Sequence, residues 1–253
     1  MLDRIVTATR DRVADLRLRR ASVMERAELA ADPPSFEAAL SIPGLHVIAE
    51  IKRKSPSRGD LAVSLDPARQ ARAYQDGGAA ALSVLTEPHF FAGDPDDLIT
   101  AREASDLPIL RKDFVFESIQ IWESRAIGAS AVLLIVAVIT PKELQALLVD
   151  AERAGLAALV EVHNPEEARV ALDVGARLIG VNNRDLSSFE VSLRTAEELA
   201  PLIAGASVKV AESGIWTAAD ARRMAAAGYQ AVLVGEALVK SADPAVLIAE
   251  LKT

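Results

Sequence analysis

Glu50 and Lys52 stand two residues apart at the end of the apolar run Val47-Ile48-Ala49-Glu50-Ile51-Lys52, just before the loop Arg53-Lys54-Ser55-Pro56-Ser57-Arg58-Gly59. Residues two apart on a strand face the same side, so this carboxylate and this ammonium share one face. A buried strand end is a costly place for one charge and costlier for two. The spacing points to a catalytic or ligand-binding pair. A surface ion pair on an edge strand is the plainer alternative.

Other apolar runs end the same way, in Lys112, Glu161, Asn182, Glu212-Ser213-Gly214 and Gly235. Together these ends hold two lysines, three glutamates and an asparagine. Such a set can bind an anion and move protons, because lysines and carboxylates in one low-dielectric mouth shift each other's pKa values. A Schiff-base lysine is a further use open to the same residues. Glu212-Ser213-Gly214-Ile215 and Val234-Gly235-Glu236-Ala237 are tight glycine-bearing loops, suited to holding a phosphate on backbone N–H groups and a helix N-terminus. Ser55 could close over that phosphate. Phe90, Phe91 and Phe114 follow two of the runs and suit either a pocket for a flat ring or the anchoring of loops. Arg184 suits an anion, Asn183 is polar enough to meet a substrate, Asp185 suits bracing its loop, and Trp122 suits packing.

These residues need a scaffold that brings many strand ends together. The apolar runs are Val47–Ile51, Ala80–Leu85, Pro108–Arg111, Ala131–Val136, Ala157–Val162, Leu178–Val181, Val208–Ala211 and Ala231–Val234. Their near-continuous apolarity suits parallel strands covered on both faces. Between them lie helices with clear start signals at Asp66-Pro67, Thr140-Pro141, Asn164-Pro165, Thr217 and Asp243-Pro244, and stop signals at Gly77-Gly78, Gly155, Gly175 and Gly228. The spacing predicts an α/β protein, a (β/α)₈ TIM barrel with an N-terminal helical extension, whose site lies at the C-terminal strand ends. An open doubly wound sheet is the runner-up, but the first loop lacks the G-x-G-x-x-G fingerprint that fold would need. Residues 1–253 read as one domain, with 1–45 an arm and 46–253 the barrel. The arm's position before the first strand suits a lid.

Composition narrows the partners. The chain has 253 residues, close to one barrel, and a net charge of -8 with both signs interspersed, which argues against a nucleic-acid surface. With no cysteine, disulfides, thiolate metal sites and cysteine nucleophiles are excluded. His46, His89 and His163 lack ligand-like spacing, so no metal site is expected. The charged first 30 residues carry no secretory pattern, and apolar runs are too short to span a bilayer. A cytoplasmic protein with no membrane partner is expected.

In order along the chain, Ala49-Glu50-Ile51-Lys52-Arg53-Lys54-Ser55-Pro56-Ser57, Leu82–Glu87, Leu110-Arg111-Lys112-Asp113-Phe114, Leu133–Val136, Leu159-Val160-Glu161-Val162-His163, Gly180-Val181-Asn182-Asn183-Arg184-Asp185-Leu186, Ala211–Ile215 and Leu233–Leu238 resemble the indole-3-glycerol phosphate synthase family of tryptophan biosynthesis. E-x-K-x-x-S-P-S and N-N-R-D-L are its most specific motifs, and the arm resembles the family's extra helices. The resemblance implies ring closure of 1-(2-carboxyphenylamino)-1-deoxyribulose 5-phosphate with loss of CO2 and water. It implies Lys112 as general acid and Lys52 as holder of the substrate carboxylate and a second acid. Glu161 would handle a proton with Glu50 as competitor, Asn182 and Arg184 would position substrate, and Glu212 would orient the lysines. Ser55, Ser213, Gly214, Gly235 and Glu236 would hold phosphate, while Phe91, Phe114, Leu133 and Leu186 would line the ring pocket.

No cofactor is implied, the partner is a phosphorylated small molecule, and a monomer or weak homodimer is expected. A Schiff-base aldolase and a non-catalytic phosphate-ligand binder are the alternatives. The chain departs from the family pattern at Val115–Gln120, where Asp and Tyr often precede the Gln, and at Ala92, where Gly or Asn is common.

Overall fold

Each apolar run is a strand. The computed structural model describes residues 2–56, 59–186 and 188–252, so Ser57 of the first motif lies outside the described residues. The strands are β1 (His46–Ile51), β2 (Ala81–Leu85), β3 (Ile109–Lys112), β4 (Ala131–Ile135), β5 (Ala157–Val162), β6 (Leu178–Asn182), β7 (Val208–Glu212) and β8 (Ala231–Val234). Parallel pairing runs round the sheet and closes it, β1 meeting β8 from His46–Ala231 to Ala49–Val234. Closure makes this a (β/α)₈ barrel with helices outside and removes the open-sheet alternative.

Strand alternation explains why these runs are apolar on both faces. In β4, Val132 and Leu134 join the layer under the helices, while Ala131, Leu133 and Ile135 fill the barrel interior. Three strands run further than their apolar cores suggest. Lys112, Asn182 and Glu212 remain in the ladder, Asn182 opposite Glu212, so their side chains are aimed by sheet geometry rather than by loops.

The helix starts form as their sequences dictate. The side chains of Asp66, Thr140, Asn164, Thr217 and Asp243 each accept from a backbone N–H in the first turn of their helix. Thr140 and Thr217 complete capping boxes with Glu143 and Asp220. At the far end of the helix Pro165–Asp173, Gly175 turns the chain into β6 at φ +79°, a conformation costly for any residue with a Cβ.

The arm has three helices: α1 (Leu2–Leu18), α2 (Arg20–Leu29) and α3 (Phe36–Leu40). Phe36 and Leu40 of α3 are buried with the interior starts of the strands (Ala81, Ala131, Leu178, Val208, Ala231), so α3 plugs the end opposite the site. Helices α1 and α2 pack on the helix Ser118–Ala126. Among the described residues, no helix is long and apolar enough to cross a membrane.

Candidate active site

At the C-terminal mouth of the barrel, β1 delivers Glu50 and Lys52 to one face, as their two-residue spacing requires. Lys52 Nζ donates to Glu50 Oε1 in a close ion pair. From β3, Lys112 Nζ reaches Glu212 Oε2 of β7 in a second close pair and lies 3.3 Å from Glu161 Oε2 of β5. Asn182 of β6 donates to Glu161 Oε1 at 3.3 Å, and its own Oδ1 accepts from Arg184 N at 3.0 Å. The three carboxylates are at most 3% exposed, so each depends on cations or donors to remain charged.

Two glycines make room for this cluster. A Cβ on Gly180 would run into the Glu212 carboxylate, and one on Gly235 into the Glu50 carboxylate. Backbone approach at both positions depends on the missing side chain.

Electrostatics separates the groups into roles. Burial works against the charge on Lys112, but Glu212, Glu161 and Glu50 reverse it and hold the ammonium above its ordinary value. Burial also works against Glu161, yet Lys112 and His163 keep its carboxyl well below the usual range. Glu212 goes the other way, raised to about 7 by burial, which with the neighbouring Glu161 and Glu50 outweighs the pull of Lys112. Its Oε1 has no donor among the described residues, which leaves that carboxylate half satisfied.

One cavity of about 230 Å³ collects these groups. The site residues that the family resemblance implies line it: Glu50, Lys52, Ser55, Lys112, Glu161, Asn182, Arg184, Glu212, Ser213, Gly214, Gly235 and Glu236, with Phe91, Phe114, Leu133 and Leu186 as the apolar wall. Phe91 and Phe114 form a tilted aromatic pair with ring centroids 6.3 Å apart on the cavity wall. Phe90 is not among the lining residues; it lies beneath the Arg4 guanidinium. Ser213 and Gly214 both take left-handed backbone (φ +64° and +79°), turning the chain sharply after β7. A non-glycine residue held there marks a strained turn of the kind found at ligand sites. Gly235 leads into the helix Glu236–Lys240.

The N-N-R-D motif divides its labour. Asn182 faces Glu161, whereas Asn183 braces the two loops, donating to Ser213 O at 3.1 Å and accepting from Ala196 N. Arg184 donates to Phe189 O, and Asp185 accepts from Ser188 N at 2.7 Å, bracing the loop as expected. Trp122 packs against the core, also as expected.

Several contributors were not singled out in the sequence. Leu2 and Ile5 of α1 line the cavity. Below Lys112, the buried Asp113 accepts from Arg12 of α1 at 2.7 Å, from Thr86 at 2.7 Å and from Arg111 at 3.1 Å. Burial opposes its charge, but Arg111 and Arg12 hold that carboxyl below the usual range. His163, passed over for lack of metal-ligand spacing, lies beside Glu161. The available signal was its position two residues beyond Glu161, the same spacing that picked out Glu50 and Lys52.

Such a mouth, with two lysines among three buried carboxylates, an apolar wall and glycine loops, defines a TIM-barrel protein built for acid–base chemistry on a small anionic molecule. Comparison with known proteins narrows the class. The family model described as indole-3-glycerol phosphate synthase matches residues 2–251. A protein of that name from Mycolicibacterium smegmatis is 48% identical over all of this chain and 94% of its own length. Indole-3-glycerol phosphate synthase 2 of Streptomyces coelicolor is 52% identical over 87% of this chain and 86% of its own. The Lachnoclostridium phytofermentans protein is 41% identical over 100% and 99%. The chain belongs to the indole-3-glycerol phosphate synthase family. Among solved structures, thiamine phosphate pyrophosphorylase from Pyrococcus furiosus superimposes with a TM-score of 0.59 at 19% identity, covering 85% of this chain and 95% of that one, a likeness of fold alone.

Proposed function

We propose that the protein closes the indole ring of 1-(2-carboxyphenylamino)-1-deoxyribulose 5-phosphate, as a carboxy-lyase working by general acid–base catalysis. The observation that carries this reading is Lys112, an ammonium held charged between Glu161 and Glu212 on the cavity floor. In the proposed sequence the ring carbon bearing the carboxylate attacks the ribulose carbonyl carbon, and Lys112 gives its proton to the carbonyl oxygen. CO2 then leaves, its bonding electrons restoring the aromatic ring. The new hydroxyl departs as water, assisted by a proton from Lys52, and Glu161, kept ionised, takes up the proton lost from the adjacent carbon.

Lys52 also faces the substrate carboxylate, with Glu50 holding it in place. Asn182 and Arg184 position the substrate, and Glu212 orients Lys112. Ser55, Ser213, Gly214, Gly235 and Glu236 hold the phosphate, the last three mainly through backbone N–H groups. Phe91, Phe114, Leu133 and Leu186 enclose the anthranilate ring. A Schiff-base aldolase is less well supported, because that chemistry needs a neutral amine and the surrounding carboxylates favour the charged form of Lys112. Arm and barrel are read as one domain, on the support of α3 plugging the barrel. We read the protein as a cytoplasmic monomer or weak homodimer.

The test is conversion of the substrate, followed by appearance of indole fluorescence. Lys112→Met should lower kcat by about 10²–10⁴ while the circular dichroism spectrum is preserved. A wild-type protein that leaves the substrate's absorbance unchanged would falsify the assignment.

A further inference from the structure

His163 follows β5 and is trapped between two carboxylates. Its Nδ1 lies 2.9 Å from Glu167 Oε2, and its Nε2 lies 3.2 Å from Glu161 Oε1, the latter an ion-pair contact too far off line for a good hydrogen bond. Glu167 is itself fixed. It accepts from His163 N at 2.8 Å and from Asn164 Nδ2 at 2.8 Å, while its own N–H donates to the N-cap side chain of Asn164 at 2.9 Å. The clamp is therefore tied to the start of the helix Pro165–Asp173, and swinging it away would break the bonds from His163 N and Asn164 Nδ2.

A neutral imidazole carries one N–H and can serve only one of these two carboxylates; the other would face a lone pair. Only the doubly protonated ring presents an N–H to each of them. The remaining elements around it do not oppose that charge. Asn182 of β6 is uncharged, and the 3₁₀ turn Val136–Val138, packed on the same helix, is apolar. The competing cation Lys112 lies beyond Glu161, on its other oxygen. Glu212 of β7 lies beyond Lys112 in turn.

We infer that His163 is a positioning residue for Glu161, an imidazolium braced by Glu167 that fixes the orientation and the ionised state of the carboxylate. This rests on the reading of Glu161 as the group that takes up a proton. Burial pushes the imidazole down, but the two carboxylates outweigh it and raise the ring to about 10. With His163 in place, Glu161 has one oxygen tied to the His163–Asn182 side and the other turned to Lys112. Without it, Glu161 Oε1 keeps only the 3.3 Å bond from Asn182, and the carboxylate turns more readily toward Lys112.

Imidazole ¹⁵N shifts of the full chain at pH 8, assigned through the variants H46Q and H89Q, should show both His163 nitrogens protonated. A ring with one proton overturns the inference. H163N should lower kcat by about tenfold with KM changed less than about threefold, and an undiminished kcat overturns it. The sign of the linked stability is also defined. A folded-state pKa raised from 6.5 to about 10 stabilises fully below pH 6.5, and that contribution is lost as pH rises through 10. The Tm deficit of H163N should therefore shrink from pH 6 toward pH 10; a deficit constant with pH marks a packing role and overturns the inference.

If H163N does not fold, E167Q substitutes for it. That variant should lower both the imidazole pKa and kcat, and leaving either unchanged overturns the inference. A wild type without turnover removes Glu161's role and this one together. A doubly protonated ring beside an unimpaired kcat in H163N removes this one alone.

Discussion

On the cavity floor, the single ammonium of Lys112 pairs directly with Glu161 and Glu212 and feels Glu50 through space. At Glu212, burial together with the neighbouring Glu161 and Glu50 outweighs the pull of Lys112. Its carboxyl, raised to about 7, takes a proton as pH drops through neutrality and loosens its hold on Lys112. We therefore expect kcat/KM to fall toward acid pH with a midpoint near 7. In Glu212→Gln, which cannot ionise, that inflection should be absent and the plateau lower. An acid limb that survives unchanged in the variant would assign it to another group. Lys112 itself, held above its ordinary value, should impose no alkaline fall in the neutral range.

At the scale of elements, the two departures from the family pattern acquire physical meanings. Ala92 ends the short helix Pro88–Phe91 at φ +52°, in the left-handed region. Its carbonyl accepts from Arg53 at 3.4 Å, and Arg53 is anchored on Asp97 and on Leu65 O, which ties the loop after β1 to the loop after β2. An alanine there costs roughly 1 kcal/mol that asparagine largely avoids. Ala92→Asn should raise stability by up to about 1 kcal/mol in a denaturant titration, with the slope unchanged; destabilisation would mean that the loop has no room for the amide. The second departure faces the arm. Phe116 lies under the Arg10 guanidinium, 5.2 Å from the ring centroid, and Glu117 pairs with Arg17. Neither lines the cavity.

The arm is joined to the barrel through the strand that carries Lys112. Arg12 of α1 donates to Asp113 and, at 3.1 Å, to Thr86 O, and the same Asp113 is held by the fully buried Arg111. Because α1 also supplies Leu2 and Ile5 to the cavity wall, we expect substrate affinity to follow arm docking. Arg12→Leu should loosen the arm, at a cost of about 1–3 kcal/mol for a charged hydrogen-bonded contact that is partly exposed. The expected readouts are faster proteolytic clipping within residues 1–45 and a KM several-fold higher at a nearly unchanged kcat. Clipping and KM both equal to wild type would show that α1 is held by its apolar face alone.

Much of this molecule was legible in the chain because the signals are local. Apolar runs, N-cap side chains and terminal glycines act within a few residues, so the eight strands and the helix starts at Asp66, Thr140, Asn164, Thr217 and Asp243 follow from short-range geometry. Spacing also put Glu50 and Lys52 on one face, and the regular placement of polar residues at strand ends located the mouth. The partnerships were decided by barrel closure. Lys112 and Glu212 are 100 residues apart, and Arg12 and Asp113 are 101 apart. No local periodicity says which charge will face which across the mouth, and the use of α1 in the cavity wall is equally non-local. His163 shows the same divide: its distance from Glu161 along the strand was in the sequence, but its charge depends on a second carboxylate delivered by the next helix. A side chain's identity and face are local properties. Its protonation and its partner are set by the field of everything the fold brings within a few ångströms.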